Sequence, residues 1–563
     1  MIENILNEDW DKINLDYEGE NKFASFFSSQ GNIHSYPAKA VPEMINDLIT
    51  KLMKEYDIKS ILDPFVGSGT TALEAKYIGL DFYGSDLNPL AVLLSRTKVL
   101  TIDNTEYVKK QLISFTARIK DIYKDKALFP LVNFDNIEYW FKEDNIKELS
   151  FIKFEIDAFL KKSKKYKKVY ALILLTTFSS TIRAVSLTRN GEFKLYRMST
   201  NDILKHEANA LNIFSKKLEY LLAMLVTANS KYECETKTEI YLRNAKKIDY
   251  MGNKKVDLVI TSPPYGDSQS TVAYGQFSRL SVQWMSDLMN RYLNIICEYD
   301  NCDQYLLGGK KSDFNLKNES NFYDSKEIIK LINDMDRVIY CNIKEREEVR
   351  QQLDYVIESL NKNNLEKKDI YSNETLLKLI KERVRLDIYR NISRKKSKLN
   401  NKKIKLIAKE KSKEFIDELF SNDKKLKYKR KEQMKKKLPN IKETINRNIT
   451  SMPKRKIEVI DFFKDLYKVV LETDRVVSDE GIQAWIVGHR TVLGEISVNM
   501  QDILKEWFEN MNYSVITSLE RKYSFKRMPH HINSTIIKNR EVSTMMNEYI
   551  LIVKKNRWDK EQR

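Results

Sequence analysis

The chain has 563 residues, 42% hydrophobic and 11% aromatic, enough to bury a real core but too long for one ordinary core. About two to four domains are expected, or one domain with large insertions. Lys and Arg outnumber Asp and Glu by 97 to 79, a formal net charge of +18 that favours a polyanionic partner, although a lysine-rich solvated surface gives the same sum. The first twenty residues lack the basic-then-apolar order of a secretory signal, and the longest apolar run, around Ala171 to Leu175, is far too short to span a bilayer. The four cysteines form no CxxC pair and have no nearby histidine partner, so neither a zinc centre nor a disulfide framework is expected. The composition reads as a cytoplasmic protein with no membrane and no metal.

After Pro37, Ala38, Val41, Met44, Ile45 and Leu48 recur at helical spacing, which predicts a loop feeding a helix beside the first strand. The stretch that follows, SILDPFVGSGTTALEA from Ser60 to Ala75, is a short apolar strand, a glycine turn and a helix start. Gly67 and Gly69 leave bare main chain and free N–H groups facing a ligand, as a nucleotide-like cofactor requires. A phosphate-cradling P-loop would need a lysine after Gly69, which is missing. The dinucleotide pattern Gly-x-Gly-x-x-Ala does match. A second strand over Leu80 to Gly84 leads to Asp86, about 20 residues past the glycine loop, where a carboxylate accepts both ribose hydroxyls of an adenosine. The competing role for Asp86, a helix N-cap, is one that Asn88 before Pro89 already supplies.

Residues 102 to 235 interrupt the αβ rhythm and read mostly helical, with Trp140, Phe141, Ile152 and Phe159 as core candidates. Lys161 to Lys168 form a basic cluster that reads as a solvated face or as a phosphate contact. A third strand is predicted to end at Leu242 and a fourth to run into Ser262-Pro263-Pro264-Tyr265. Two prolines fix φ and remove two N–H donors, so this turn is stiff and holds its carbonyls outward beside an aromatic ring. Such a pair of rigid acceptors suits an exocyclic amino group whose base stacks on the ring. Tyr274, Gln276, Ser278 and Arg279 either line that pocket or form a buried polar helix start.

Residues 285 to 455 read as a long helical insertion whose part from Arg394 to Lys456 is the most basic stretch of the chain. Lys424, Lys425, Lys427, Lys429, Arg430 and Lys431 are its candidates for a phosphate backbone, against the plainer reading of a solvated helix pair. The αβ order returns with a fifth strand in GIQAWIVGHRTV, an amphipathic helix from Met500 to Met511, and strands in YSVITSLERKYS and NEYILIVKK, the last two expected to pair antiparallel. Arg521, Lys522, Lys526 and Arg527 mark the connecting loop as a second phosphate candidate. His530 and His531 are adjacent, poor geometry for one metal, and receive no role.

The motifs DPFxGSGTT and TSPPY together resemble the bacterial DNA amino-methyltransferases that act on cytosine N4 or adenine N6. The resemblance covers residues 21–101, 236–284 and 480–556. It implies an α/β fold, a Rossmann-like seven-stranded methyltransferase sheet with two large, mainly helical insertions. The implied layout is a cofactor-binding half over 1–101, a helical insertion over 102–235, the catalytic strand and TSPPY segment over 236–284, a basic insertion for target recognition over 285–455, and a closing αβ part over 456–563. It implies S-adenosyl-L-methionine as cofactor, held by His34, Tyr36 and Pro37 at its methionine end, by Asp63, Phe65, Gly67, Gly69 and Thr70, by Asp86 at the ribose and by Asn244 at the adenine. It implies Ser262, Pro263, Pro264 and Tyr265 as catalytic, double-stranded DNA as substrate, and a cognate restriction endonuclease as partner. Serine at the head of the motif resembles the cytosine-N4 subgroup more than the adenine-N6 one, and the absence of any Pro-Cys dipeptide argues against cytosine C5 methylation. An RNA amino-methyltransferase would share both motifs, whereas an NAD-dependent dehydrogenase would leave Ser-Pro-Pro-Tyr unexplained. In many relatives Ser-Pro-Pro-Tyr precedes the glycine loop, whereas here the loop comes first.

Overall fold

The computed structural model describes residues 34–37, 40–124, 128–189, 194–230, 235–266, 273–297, 302–310, 319–395, 401–522, 531–533, 541–543 and 547–557. Seven strands form one sheet: Ser60–Asp63 (β1), Asp81–Asp86 (β2), Thr238–Leu242 (β3), Val256–Thr261 (β4), Val477–Gly488 (β5), Tyr513–Lys522 (β6) and Asn547–Lys555 (β7). Their order is β3-β2-β1-β4-β5-β7-β6. The first five are mutually parallel, and β7 runs antiparallel to both β5 and β6. This is the Rossmann-like methyltransferase sheet that the sequence implies, including the antiparallel closing pair. Its parallel part needs cover on both faces, which is why its strands are nearly continuous apolar runs.

Side chains alternate across the sheet with period two and so feed two cores. On one face Ile61, Phe82, Leu258, Ile260, Ile486 and Ile550 pack under Pro42–Glu55 (α1), Thr70–Ile78 (α2), Pro89–Lys98 (α3) and the helices of the first insertion. Those helices are Thr105–Lys124 (α4), Glu143–Lys162 (α5), Lys167–Val185 (α6) and Ala210–Asn229 (α7). Phe141 and Ile152 are buried in this same core, with Trp140 and Phe159 partly buried against it, so the first insertion thickens one layer of the sheet domain. By length and composition α6 would cross a bilayer, but 78% of its apolar window is buried, against α3, α5, α7 and Tyr274–Leu293 (α8).

On the opposite face Leu62, Val259, Trp485, Val487, Leu551 and Val553 meet Met500–Asn510 (α14) and the inner ends of two long helices, Lys326–Asn361 (α9) and Leu438–Val476 (α13). The outer ends of α9 and α13 join Glu374–Lys395 (α10), Asn401–Glu418 (α11) and Lys424–Lys435 (α12) around a third apolar cluster that includes Val349, Leu353, Ile380, Phe415 and Ile445. The second insertion therefore carries a core of its own, joined to the sheet by α9 and α13. Helix α13 has 39 residues and contains Pro453. At 1.5 Å per residue it is about 58 Å long. The proline lies where the clusters change over, for Ile445 belongs to the outer one and Met452 to the inner one. Its residue Val476 is followed at once by the first residue of β5.

Candidate active site

The carboxyl ends of β1, β2, β3 and β4 converge on one cleft, and buried hydrogen bonds hold them there. Asp63 closes β1. Its Oδ1 accepts from the Phe65 N–H at 3.0 Å and from Thr261 Oγ1 at 2.8 Å, which ties the start of the glycine loop to the last residue of β4. Burial pushes the Asp63 carboxyl up to about 6, against hydrogen bonds from Thr261, Phe65 and Thr71 that pull it down.

The loop turns through Gly67 at φ 52° and Gly69 at φ 83°, the left-handed region where a side chain is strained. A Cβ on Gly69 would also stand 2.7 Å from Ser95 Cα on α3. The Gly67 N–H donates to Asp86 Oδ2 at 2.9 Å, and the Asn88 N–H donates to Asp86 Oδ1 at 2.8 Å. Asp86 is the last residue of β2, part-exposed at the cleft, and the loss of water around it pushes its carboxyl up to about 6. The helix cap falls to Asn88, whose Oδ1 accepts from the Leu90 N–H at 3.0 Å. Gly84 lets β2 pass beneath the loop: a Cβ there would lie 2.3 Å from Val66 Cγ2 and 2.8 Å from the Asp63 carbonyl oxygen. Gly84→Ala is expected to destabilise the protein by about 1–3 kcal/mol, read as a lower thermal midpoint, because the Asp63 backbone and the Val66 and Phe82 side chains must give way.

Tyr36 and Pro37 are buried beside this loop. The Tyr36 hydroxyl accepts from Asn88 Nδ2 at 3.2 Å, and its ring lies 5.9 Å from Phe277 and 6.0 Å from Tyr274. His34 turns toward the first insertion, with Nε2 2.7 Å from Ser179 Oγ on α6 and Nδ1 2.7 Å from the Ser35 carbonyl, so its ring anchors the segment to α6. Beyond β3, the Arg243 N–H donates to the Asp86 carbonyl at 3.1 Å, which brings the following residue, Asn244, beside Asp86. A narrow cavity lined by Asp63, Phe65, Gly67, Thr70, Thr261 and Ser262 joins the glycine loop to Ser-Pro-Pro-Tyr.

With this geometry in place, comparison with known proteins gives a consistent picture. A family model described as a DNA methylase of the N6/N4 type matches residues 4–96. The type II methyltransferase M.MvaI of Kocuria varians is 28% identical over 97% of this chain and 96% of its own length. The chain is related to the DNA amino-methyltransferases. The type II methyltransferase M.BsoBI of Geobacillus stearothermophilus is 25% identical over 39% of this chain and 47% of that protein. M.MjaII of Methanocaldococcus jannaschii is 30% identical over a shorter segment, 16% of this chain and 17% of that protein. No solved structure matches at the same level of significance.

In this chain the Ser-Pro-Pro-Tyr loop has a partner that sequence reasoning missed. Tyr265 Oη donates to Glu548 Oε1 at 2.5 Å, and Arg521 Nη1 donates to Glu548 Oε2 at 2.7 Å. Arg521, expected to face a phosphate, is instead buried, and that placement corrects the expectation: a guanidinium inside the domain must be paired, and Glu548 pairs it. Asp303 was missed too. It accepts from the Gly275 and Gln276 N–H groups at 2.6 and 3.0 Å and so holds the start of α8, with Tyr274, against the cleft. Ser278 is buried and bonds its own helix through the Tyr274 carbonyl, Gln276 is half-buried, and Arg279 is exposed.

In the basic insertion Lys424, Lys425 and Lys429 are exposed on α12 and Lys427 is partly so. Arg430 and Lys431 depart from the phosphate-facing expectation. Arg430 is ion-paired with Glu418 at 2.5 Å and lies over the Phe415 ring, while Lys431 is buried with Nζ 3.4 Å from the Asn363 carbonyl. Both sit on the inward side of α12, where the outer core fixes them. Lys526 and Arg527 lie outside the described residues. Among the described residues no cluster of His, Cys, Asp and Glu has the arrangement of a metal site.

Proposed function

We propose that this protein is a site-specific DNA methyltransferase that moves a methyl group from S-adenosyl-L-methionine to the exocyclic amino group of a flipped base, cytosine N4 in the first place. The observation that carries this reading is the Asp63–Thr261 bond, which locks the glycine loop and Ser-Pro-Pro-Tyr at neighbouring strand ends around one cleft. The residues present fit the cofactor. Gly67 keeps its main chain open, since even a Cβ there would stand 3.8 Å from its nearest neighbours, and Asp86 offers a desolvated carboxylate at the end of β2. On this reading Asp86 holds the ribose, Asn244 the adenine, and the loop from Asp63 to Thr70 with Phe65, Tyr36 and Pro37 the methionine end. His34 acts by anchoring that wall. When bound, S-adenosyl-L-methionine supplies a methyl group made electrophilic by its sulfonium centre.

The protein's own part is positioning. Ser262 Oγ and the Pro263 carbonyl accept the two amino N–H bonds, Pro264 stiffens the turn, and Tyr265 stacks on the base, offsetting the few kcal/mol lost when it leaves the duplex. Three type II methyltransferases among its relatives support a restriction-modification setting with a cognate endonuclease. The test is to incubate the protein with cofactor and unmethylated genomic DNA, digest to nucleosides and identify the product by mass spectrometry. N4-methylcytosine is expected; N6-methyladenine would correct the base, and neither product would overturn the reading.

The exposed lysines of α12 are proposed to bind the DNA backbone. Replacing Lys424, Lys425, Lys427 and Lys429 with glutamine is expected to weaken DNA binding and flatten its salt dependence, by roughly 0.9 in the log–log slope for each phosphate no longer neutralised. An unchanged slope in a fluorescence-anisotropy titration would make them solvated surface.

A further inference from the structure

We propose that Glu548, clamped by Arg521, is a positioning residue that fixes the direction of hydrogen bonding through the Ser-Pro-Pro-Tyr loop, so that Ser262 meets its substrate as an acceptor. The inference rests on the methyltransferase reading above and adds the reason why the pocket selects an amino group. Arg521 and Glu548 face each other across the antiparallel pair β6 and β7. Both side chains are largely buried, at 7% and 11% exposure, so the carboxylate is held in place. A guanidinium only donates and an ionised carboxylate only accepts. Glu548 Oε2 accepts a hydrogen bond from the Arg521 N–H and Oε1 accepts one from the Tyr265 O–H.

A phenol has one proton. Once that proton is engaged in the hydrogen bond to Glu548, the Tyr265 oxygen turns its lone pairs to Ser262 Oγ, 3.4 Å away, and that contact is made with the serine's proton. Ser262 is then left with lone pairs toward the cleft. Pro263 and Pro264 have no N–H, so these residues add acceptors only. An amino group, with two N–H donors, is matched by such a loop. A ring carbonyl at the same place meets lone pairs and is refused. The order Arg521, Glu548, Tyr265, Ser262 is thus a polarised chain running from the closing strands to the reacting nitrogen.

The experiment is a double-mutant cycle on single-turnover methyl transfer with Glu548→Gln, Tyr265→Phe and the pair, and with Glu520→Gln as a neighbouring control. A glutamine amide can donate to the tyrosine oxygen and reverse the chain. Each single variant is expected to be about 10–100-fold slower, the scale seen when an orienting partner is removed, with cofactor Kd within twofold. The pair is expected to be no slower than its slower member, since both cut one chain. Arg521→Met with Glu548→Gln repeats the measurement without an unpaired buried charge. Glu548→Gln at the wild-type rate, or losses that multiply in the pair, would overturn the inference. If the wild-type protein transferred no methyl group to DNA, the methyltransferase reading would fall. The chain is then read without turnover, from the ¹⁹F resonance of 3-fluorotyrosine at position 265: displacement by Glu548→Gln but not by Glu520→Gln supports the polarised chain, and no displacement overturns it.

Discussion

Ser262→Ala is expected to slow single-turnover methyl transfer by about 10²–10³-fold, the range for removing one preorganised hydrogen-bonding group at a reacting atom, while cofactor affinity stays within twofold. The separation follows from the fold. Ser262 stands after β4, whereas the cofactor's proposed anchors, Gly67 and Asp86, bond each other between the loop after β1 and the end of β2. Tyr265→Ala removes a different quantity. Base stacking on an aromatic ring is worth about 1–3 kcal/mol, so this variant is expected to lose DNA affinity as well as rate. Transfer rates from tritiated cofactor, with calorimetric cofactor titrations on the same samples, check both. Full activity in Tyr265→Ala would remove the pocket assignment.

The second large effect is expected at Asp86. Asp86→Ala deletes the carboxylate proposed to take the ribose hydroxyls and releases the Gly67 and Asn88 N–H groups that it now accepts. At about 1.5–3 kcal/mol for a hydrogen bond to a charged group, two lost bonds weaken cofactor binding by 10²-fold or more. Its pH dependence has a definite sign. The Asp86 carboxyl lies at about 6, and ionisation is what makes it a pure acceptor and a partner for a cationic cofactor. Affinity is therefore expected to rise from pH 5 to pH 7 and to be about tenfold weaker at pH 5 than on the plateau. The contribution of these buried carboxyls to the stability of the ligand-free protein runs the other way. Asp63 and Asp86 hold their protons more tightly folded than unfolded, so their own contribution to stability is greatest below their ordinary pKa near 4 and declines as pH rises to about 6, which the difference between wild type and Asp86→Ala isolates from the oppositely shifted Asp157, Glu239 and Glu472. Calorimetry and thermal melts across pH 4 to 8 read the two trends separately, and an affinity flat across pH 5 to 7 would remove Asp86 from the ribose.

Several strands were legible as apolar runs with a Pro or Asn close behind, SILD before Pro64, VDLVIT before Ser262-Pro263 and EYILIVKK before Asn556, and the antiparallel closing pair was suggested by two successive strands joined through one loop. One boundary was not. The fifth strand begins at Val477, before Gly481, because its first residue pairs with Val256 ahead of a bulge and the helical pattern before it hides the change. The separate outer core was invisible for a similar reason: helical periodicity runs unbroken through Ile445 and Met452 although the two residues serve different clusters. Charge alone does not say which way a side chain faces, so Arg430, Lys431 and Arg521 read as surface. Glu548 was missed because its partner is 283 residues away, although alternation in NEYILIVKK sets it on the face of Ile550 and Ile552. A glutamate on the apolar side of a closing strand was the available signal.

Helix α13 continues into β5 with no residue between them, and β5 lies beside β4 in parallel register, with Trp485 opposite Thr261. Helix and strand thus form a jointed lever whose long arm ends among the basic helices and whose short arm lies against the strand that leads into Ser262. Between the two arms the strand bulges, Val477 standing opposite Val256 and Ile482 opposite Leu258 with Glu480 at φ 62°, so a load on the outer arm meets this joint before it reaches the reacting edge. Pro453 removes one helical N–H bond partway along the long arm and so gives it a second joint.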